Sequence, residues 1–179
     1  MSNKETTMKP EMVSKGKMYF VGMDYYGQLT GEGWSEENPI GNLWNRFTTF
    51  RETKWNLIED NVVDEDVAYE IHIWNEEEFN TTKCFYVFVG VEVEKLEDIP
   101  LELVSKVLPA GTYAVFSVKG PQITTWETDI YEGWLPQSEY EGVVFDGYQF
   151  HIQCYGKRFK GLDRIEESEI DVYIPVNRK

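Results

Sequence analysis

Aromatic and acidic side chains are the groups in this sequence that could do chemistry. Six tryptophans and eleven tyrosines help bring the aromatic content to 15%, more than an ordinary core needs. Tyr and Trp rings combine a flat apolar face with a polar tip, which suits a pocket for planar or bulky organic ligands. A cation held over such a ring gains about 0.5 to 2 kcal/mol. The composition therefore favours a site for organic cations, although most of these rings are also expected to pack in the core.

Two carboxylates are candidates for the counter-charge of such a ligand. Asp146 is predicted to share a strand face with Tyr148 and Phe150, and Glu169 to share one with Tyr173, because alternate residues of a strand point the same way. A buried carboxylate without a partner is costly, and a cationic ligand would supply the partner. The alternative is that both acids face water, Asp146 at a turn or strand start and Glu169 at a strand edge.

The two histidines, His72 and His151, occupy equivalent places in a Tyr-x-x-His-Ile pattern that occurs at residues 69–73 and 148–152. Paired histidines suggest a metal or haem site, but the sequence around them contains no cluster of further ligands. We therefore predict two histidines on strand surfaces and no metal. The sequence also contains no Gly-rich phosphate loop, no G-x-S-x-G and no Cys-His pair in a catalytic context.

Length and charge narrow the class of protein. A chain of 179 residues is long enough for one substantial core, and its net charge of −15 argues against direct nucleic-acid binding. Cys84 and Cys154 lie in strand-like runs and are expected to stay reduced. The polar N-terminus lacks the apolar centre of a signal peptide, and the longest apolar run, residues 85–91, is too short to span a bilayer. We expect a cytoplasmic protein with no membrane partner and an unidentified protein partner at most.

Residues 109–136 predict a strand followed by a short helix. Thr112–Val118 has strand composition after a turn that begins at Pro109. Thr124 and Glu127 fit a capping box at the start of the helix. Apolar residues then recur at helical spacing before the stop at Pro136: Ile123, Trp126, Ile130 and Trp134. Three large aromatics, Trp126, Tyr131 and Trp134, are thus expected on or beside one short helix.

The rest of the chain predicts a second, similar unit. Asn38 followed by Pro39 indicates a helix start after a loop that contains Trp34. The strands are predicted at 17–26, 67–75, 83–93, 143–153 and 169–176, with an acidic connection at 94–108 and a basic loop at 155–164. Strand, helix, strand, strand thus occurs at 17–93 and again at 109–179. We predict an α+β fold of two pseudo-symmetric βαββ repeats, with an antiparallel sheet, helices on one face and a central cleft, after a flexible tail of residues 1–16.

Four pieces of the sequence resemble the GyrI-like effector-binding domain family. They are PAGTYAVF at 109–116, the run from Trp126 to Pro136, FDGY at 145–148 and SEIDVYIPV at 168–176, in the family's order. That family includes the ligand-sensing domains of AraC-type and MerR-type multidrug regulators, and its fold is similar to that of the SOUL haem-binding proteins. The resemblance implies a single domain over residues 17–179 with a ligand in its central groove. The family usually has Glu where this chain has Asp146, which shortens the acidic arm.

The sequence thus favours a non-catalytic binding protein over an enzyme. Because no helix-turn-helix fits in residues 1–16, we expect a free-standing member that binds amphiphilic, aromatic, preferably cationic small molecules without a cofactor. The residues predicted to line its pocket are Tyr19, Trp126, Tyr131, Trp134, Asp146, Tyr148, Glu169 and Tyr173.

Two alternatives stay open at this point. A hydrolase of reactive drug-like compounds would use Glu169 or Asp146 with Tyr131 as general acid and base, and turnover of the ligand would reveal it. A protein-directed inhibitor, such as one of DNA gyrase, would use the acidic surface as a nucleic-acid mimic, and its complexes would weaken steeply with salt.

Overall fold

The computed structural model describes residues 8–29 and 38–179. These residues form nine strands in one antiparallel sheet: β1 Glu11–Lys15, β2 Met18–Gly27, β3 Ala68–Trp74, β4 Phe85–Val93, β5 Val104–Leu108, β6 Gly111–Lys119, β7 Tyr140–Gly142, β8 Gln149–Tyr155 and β9 Glu169–Arg178. The helices are α1 Pro39–Lys54, α2 Glu76–Thr82, α3 Trp126–Thr128 and α4 Leu135–Gln137, with a π-helix, Asp129–Trp134, between the last two. The short 3-10 helices are Trp55–Leu57, Glu59–Asn61, Gly120–Thr124 and Leu162–Glu167. The predicted α+β class is confirmed.

The strand order is β1-β6-β9-β8-β3-β4-β2-β5, with β7 beside β9. Strands from residues 17–93 therefore lie together on one side, those from 109–179 lie on the other, and the two sets meet at β3 and β8. An evolutionary duplication of the two sets stays a prediction.

The sheet curls around an apolar core. β5 is at one end of the strand order and β6 is next to the strand at the other end, yet only three residue steps separate Leu108 from Gly111, a reach of about 11 Å at most. The same short step joins Lys15 of β1 to Met18 of β2. The sheet must therefore bend so that its two ends approach each other. The inner face encloses a cluster of buried side chains: Met18, Phe20, Ile71, Phe88, Leu108, Tyr113, Phe150 and Ile152.

The outer face of the sheet carries the helices, as the sequence predicts. Residues directly opposite each other on neighbouring strands share a face, so the register places Val89, Glu70, Gln153, Val172 and Phe116 in one row across the outer face. α1 covers the Val89 end of this row, where Leu43, Phe47 and Phe50 pack on β2 and β4. The Phe116 end is covered by Ile123, Trp126 and Ile130 of what we call the 120–137 helical segment. The middle of the row lies between these two covers.

The start of α1 is confirmed in detail. The Asn38 side chain accepts a hydrogen bond from the backbone N–H of Ile40 at 2.9 Å, and Pro39 occupies the first turn. A proline there costs nothing, because its missing N–H would have no intrahelical partner. This cap fixes where α1 begins and hence which of its side chains face the sheet.

The N-terminal part of the chain differs from the prediction. Where the sequence predicts a flexible tail over residues 1–16, the structure has strand β1, whose residues pair with β6 from Glu11 opposite Val115 to Lys15 opposite Gly111. β1 forms because its backbone pairs with the otherwise open edge of β6. It has no hydrophobic pattern of its own, so the sequence does not indicate it. Residues 1–7, and the loop predicted around Trp34, lie outside the described residues.

The prediction of one strand over residues 143–153 is wrong for residues 143–148. Asp146 and Gly147 have φ of 52° and 83°, and Phe145 and Tyr148 exchange both backbone hydrogen bonds across them. This is a two-residue Asp-Gly turn of the kind that requires positive φ at both central positions. β8 begins only at Gln149, so Asp146 sits exposed at a turn and shares no strand face with Tyr148 and Phe150.

The capping box predicted at Thr124 is also wrong. The Thr124 hydroxyl donates to the Pro121 carbonyl at 2.8 Å within a 3-10 turn, and α3 begins later without a side-chain cap. The predicted single helix is instead a chain of short 3-10, α and π pieces. Three further differences are local: the acidic turn at 76–78 opens α2, the connection at 94–108 contains β5, and the basic loop at 155–164 runs into a 3-10 helix at Leu162.

Candidate functional site

Four polar side chains form the floor of a cleft on the outer face. Glu70 and His72 of β3 lie directly opposite Gln153 and His151 of β8. All four side chains are buried, since Glu70 is 1% exposed, His72 8%, and Gln153 and His151 4% each. The prediction that both histidines lie on strand surfaces is therefore wrong. α1 and the 120–137 helical segment flank this face of the sheet.

Hydrogen bonds from three different elements hold the Glu70 carboxylate. Trp44 of α1 donates its indole N–H to Oε2 at 2.7 Å, His72 Nε2 lies 2.7 Å from Oε1, and Gln153 donates to Oε1 at 3.4 Å. A carboxylate removed from water needs such partners. Tyr155, whose ring packs edge-on against Trp44, donates to Gln153 Oε1 at 3.0 Å and extends the network. Burial, followed by the nearby charge of Glu70, raises the pKa of Tyr155 well above its usual value.

His151 lies among aromatic rings at the other end of the floor. Its ring centroid is 4.8 Å from those of Trp126 and His72 and 5.4 Å from that of Trp74. Burial, and secondly the neighbouring His72, lower the pKa of His151 well below its ordinary value, so the ring is neutral at pH 7. Its Nδ1 is 3.2 Å from the hydroxyl of Tyr131. Burial and then the charge of Glu127 raise the pKa of Tyr131, which keeps the phenol protonated.

The space above this floor consists of two adjoining cavities of about 530 and 440 Å³ that share Leu29, His72 and Glu127 as walls. The larger is lined by rings: Trp74, Phe79, Phe85 and Tyr131. The smaller reaches Glu70 and Trp126 beneath the start of α1. Together they make a continuous cleft with an aromatic end and an acidic floor.

The charged walls of this cleft are all acidic. Glu70, Glu76 and Glu127 line it, and no Lys, Arg or Asp does so among the residues that the structure describes. A concave site lined by one sign of charge with apolar walls attracts ligands of the opposite sign. The cleft is therefore suited to a cation with a large apolar body.

Two of the predicted pocket residues lie in this cleft. Trp126 lines the smaller cavity and Tyr131 the larger one. Trp134, on the same helical segment, instead points into the core against Phe116 and Tyr140. Tyr19 packs beside the α1 cluster. Neither Trp134 nor Tyr19 is among the cleft-lining side chains that the structure describes.

The remaining predicted residues lie away from the cleft. Asp146 and Tyr148 are at the exposed Asp-Gly turn described above. Glu169 and Tyr173 point to the inner side of β9, because they alternate with Val172 of the outer face. Glu169 forms ion pairs there with Arg158 and, at 3.1 Å, with Lys119. Its charge is already neutralised by these partners.

Sequence reasoning missed Glu70 and Gln153 altogether. A signal was present, since Glu70 lies inside the repeated Tyr-x-x-His-Ile pattern and Gln153 directly follows its second copy. Alternation alone cannot distinguish a strand face exposed to water from one covered by helices. The paired pattern was the feature that could have located the floor.

The fold and the cleft together define a GyrI-like effector-binding domain, a class of small-molecule-binding domain. The family model described as Cass2, integron-associated effector binding protein, matches residues 11–176. The chain belongs to this family.

Known proteins agree with this assignment. The transcriptional regulator BrlR of Pseudomonas aeruginosa is 31% identical over 172 residues, which cover 94% of this chain and 56% of the regulator. The chain thus spans about half the length of that relative. Two solved structures share the fold: SAV2435 bound to tetraphenylphosphonium (TM-score 0.65, 15% identity, 95% of this chain and 94% of that one) and the integron cassette protein VCH_CASS2 of Vibrio cholerae (TM-score 0.55, 17% identity, 94% and 96%).

Among residues 8–29 and 38–179, no helix has both the length and the apolar character needed to cross a membrane.

Proposed function

We propose that this protein binds amphiphilic, aromatic organic cations in the cleft between α1 and the 120–137 helical segment. The observation that carries the proposal is the charge of the lining: three glutamates and, among the described residues, no Lys or Arg. An anionic ligand would meet only repulsion there, and a cation finds a counter-charge at the floor and at the rim.

The geometry supports a two-part recognition. Glu70 lies at the floor with 1% of its surface exposed, where the low dielectric strengthens its attraction for a cation. The rings of Trp74, Phe79, Phe85 and Tyr131 supply faces for stacking and for cation–π contacts of about 0.5 to 2 kcal/mol each. A cavity of about 530 Å³ matches the size of drug-like ligands. Stacking with one ion pair is consistent with micromolar affinity, about −8 kcal/mol.

The comparisons support the same class of ligand. SAV2435, which has this fold, was solved with tetraphenylphosphonium, a compact aromatic cation. BrlR is a transcriptional regulator of which this chain matches about half. We infer that ligand binding here serves either to sequester the compound or to signal its presence to a partner.

The direct test compares two ions of equal shape and opposite charge. Tag-free protein is titrated with tetraphenylphosphonium and with tetraphenylborate, with quenching of tryptophan fluorescence as the readout, and a cationic rhodamine serves as a second ligand. We expect micromolar binding of the cations and at least a tenfold preference over the borate, which is about 1.4 kcal/mol. Equal binding of both ions would show that charge does not select the ligand and would overturn the cationic preference.

A pair of matched variants assigns the counter-charge. Glu70→Gln removes the floor charge while keeping an acceptor for Trp44, and we expect it to weaken cation binding at least tenfold. Glu169→Gln makes the same chemical change on the inner side of the sheet, where we expect no effect on binding. Circular dichroism melting of both variants checks that they are folded. If Glu169→Gln lost cation binding while Glu70→Gln still bound the cation normally, the ligand would have to lie outside this cleft.

The catalytic alternative gains nothing from the geometry. Neither Glu169 nor Asp146 lies in the cleft with Tyr131, so the acid–base pair that a hydrolase was predicted to use is not assembled. Mass spectrometry of the recovered ligand tests this point, and we expect the compound to be intact. Inhibition of a protein through the acidic surface stays a prediction that salt dependence of complex formation would test.

A further inference from the structure

Three potential metal ligands meet at the wall shared by the two cavities. His72 of β3, His151 of β8 and Glu127 of α3 each offer one ligand atom, and these atoms lie within 4.8 Å of one another. The two histidines are held in place by the sheet, because they are direct partners in the β3–β8 register. Glu127 approaches from the helical cover and has an exposed side chain.

One atom of this group is left unsatisfied in a buried position. His151 Nε2 has no hydrogen-bond partner within residues 8–29 and 38–179, although the residue is only 4% exposed. The Glu127 carboxylate is 3.9 Å away, too far for a hydrogen bond. A buried polar atom without a hydrogen-bond partner is costly, so its persistence needs an explanation. A metal ion that accepts the lone pair of this nitrogen would provide one.

We propose that His72, His151 and Glu127 form a binding site for a divalent transition-metal ion of the Zn²⁺ class. Two imidazoles with one carboxylate are a ligand set that Zn²⁺ uses when a further position stays open for water or another molecule. Imidazole nitrogens disfavour Ca²⁺ and Mg²⁺, which select oxygen ligands. The site is distinct in chemistry from the binding of organic cations, although both lie in one cleft.

The partners of the two histidines match the outer shell of a metal centre. Ligating histidines usually give their other ring nitrogen to a carboxylate or another fixed group, which orients the ring. His72 Nε2 is 2.7 Å from Glu70 and His151 Nδ1 is 3.2 Å from the hydroxyl of Tyr131. His72 is then left with Nδ1 and His151 with Nε2 for the metal. Each ring is thus held by one nitrogen and has the other available.

The distances require only a small adjustment. Tetrahedral Zn²⁺ with bonds of about 2.0 to 2.1 Å brings its ligand atoms to about 3.4 Å from one another. The ligand atoms of this group lie within 4.8 Å of one another, so the widest pair must approach by at most about 1.4 Å. The Glu127 side chain is exposed and can rotate, which would close its 3.9 Å distance to His151 Nε2 without any shift of the sheet.

The first experiment titrates tag-free, chelator-treated protein with Co²⁺, whose visible absorption reports the ligand set, and with Zn²⁺ by calorimetry. Glu127→Gln removes a proposed ligand from an exposed position where folding is not at risk. Glu132→Gln is the matched control, because Glu132 is an exposed acid of the same helical segment. We expect Glu127→Gln to weaken metal binding at least tenfold and Glu132→Gln to leave it unchanged.

The second experiment follows the imidazole signals by nuclear magnetic resonance. The chain contains two histidines, so two ring spin systems report the whole set. Both are expected to shift on addition of one equivalent of Zn²⁺. The proposal is overturned if neither histidine responds, or if Glu127→Gln and Glu132→Gln bind metal equally well, since binding would then reflect the acidic surface in general. These outcomes are independent of the tetraphenylphosphonium titration, so either proposal can fail alone.

Discussion

The two faces of the central strands β3 and β8 are both buried but have opposite character. On the inner face, Ile71 and Ile152 lie opposite each other in an apolar cluster with Phe20 and Phe88. One residue along each strand, the outer face presents His72 opposite His151, beside Glu70 and Gln153. The same backbone therefore carries a hydrocarbon core on one side and a hydrogen-bonded polar floor on the other.

The difference shows how stability and binding are divided within one sheet. The inner face gains free energy by removing apolar area from water and requires only good packing. The outer face holds groups that are costly to bury, and specific donors from α1, β3 and β8 hold Glu70 there. Changes on the inner face should therefore affect folding, whereas conservative changes on the outer face should affect the ligand first.

The largest expected effect is on the inner face. Phe88 is fully buried, and its ring lies edge-on to that of Phe20 with 6.4 Å between the ring centroids. Phe88→Ala should lower the free energy of unfolding by about 3 to 5 kcal/mol, because it removes transfer free energy and leaves a cavity. Urea unfolding followed by circular dichroism measures it. A loss below about 1 kcal/mol would mean that the curled sheet does not depend on this cluster.

A smaller loss is expected where α1 meets the polar floor. Trp44→Phe keeps an aromatic ring, although a smaller one, and deletes the indole N–H whose hydrogen bond Glu70 accepts at 2.7 Å. The buried carboxylate then loses one of its donors, which should cost about 1 to 3 kcal/mol of stability. Trp55→Phe is the control, since Trp55 is half-buried and its ring lies under Arg51 at the end of α1. Equal losses in both variants would show that ring volume, rather than the hydrogen bond, matters at residue 44.

The sequence allowed much of the framework to be predicted, for physical reasons. Asn38 and Pro39 fix the start of α1, alternation identifies β3 and β9, and a run of apolar residues identifies β4. The Asp-Gly turn at 146–147 was hidden because apolar residues continue on both sides of it. Of the three large aromatics predicted on or beside one short helix, Trp126 and Tyr131 line the cleft, whereas Trp134 packs in the core.

The rest of the site depended on tertiary structure. Glu70 reads as a surface residue until α1 is placed on the neighbouring strands β2 and β4, where Trp44 reaches it, and nothing local indicates where a distant helix packs. From its sequence environment Glu169 is an equally plausible counter-charge for a ligand, yet the strand register turns it to the other side of the sheet. Which of two strand acids serves a ligand is thus decided by register and helix packing.

The smallest expected effect sharpens this contrast between the two acids. Glu169 pairs with Arg158 and Lys119 near the surface, and both basic side chains are more than half exposed. Because solvent screens such pairs, Glu169→Gln should change the free energy of unfolding by at most about 1 kcal/mol. Urea unfolding at low and high salt measures this change, and the difference between variant and wild type should shrink as salt is added. A loss of several kcal/mol that salt does not alter would mean that Glu169, like Glu70, belongs to a buried network.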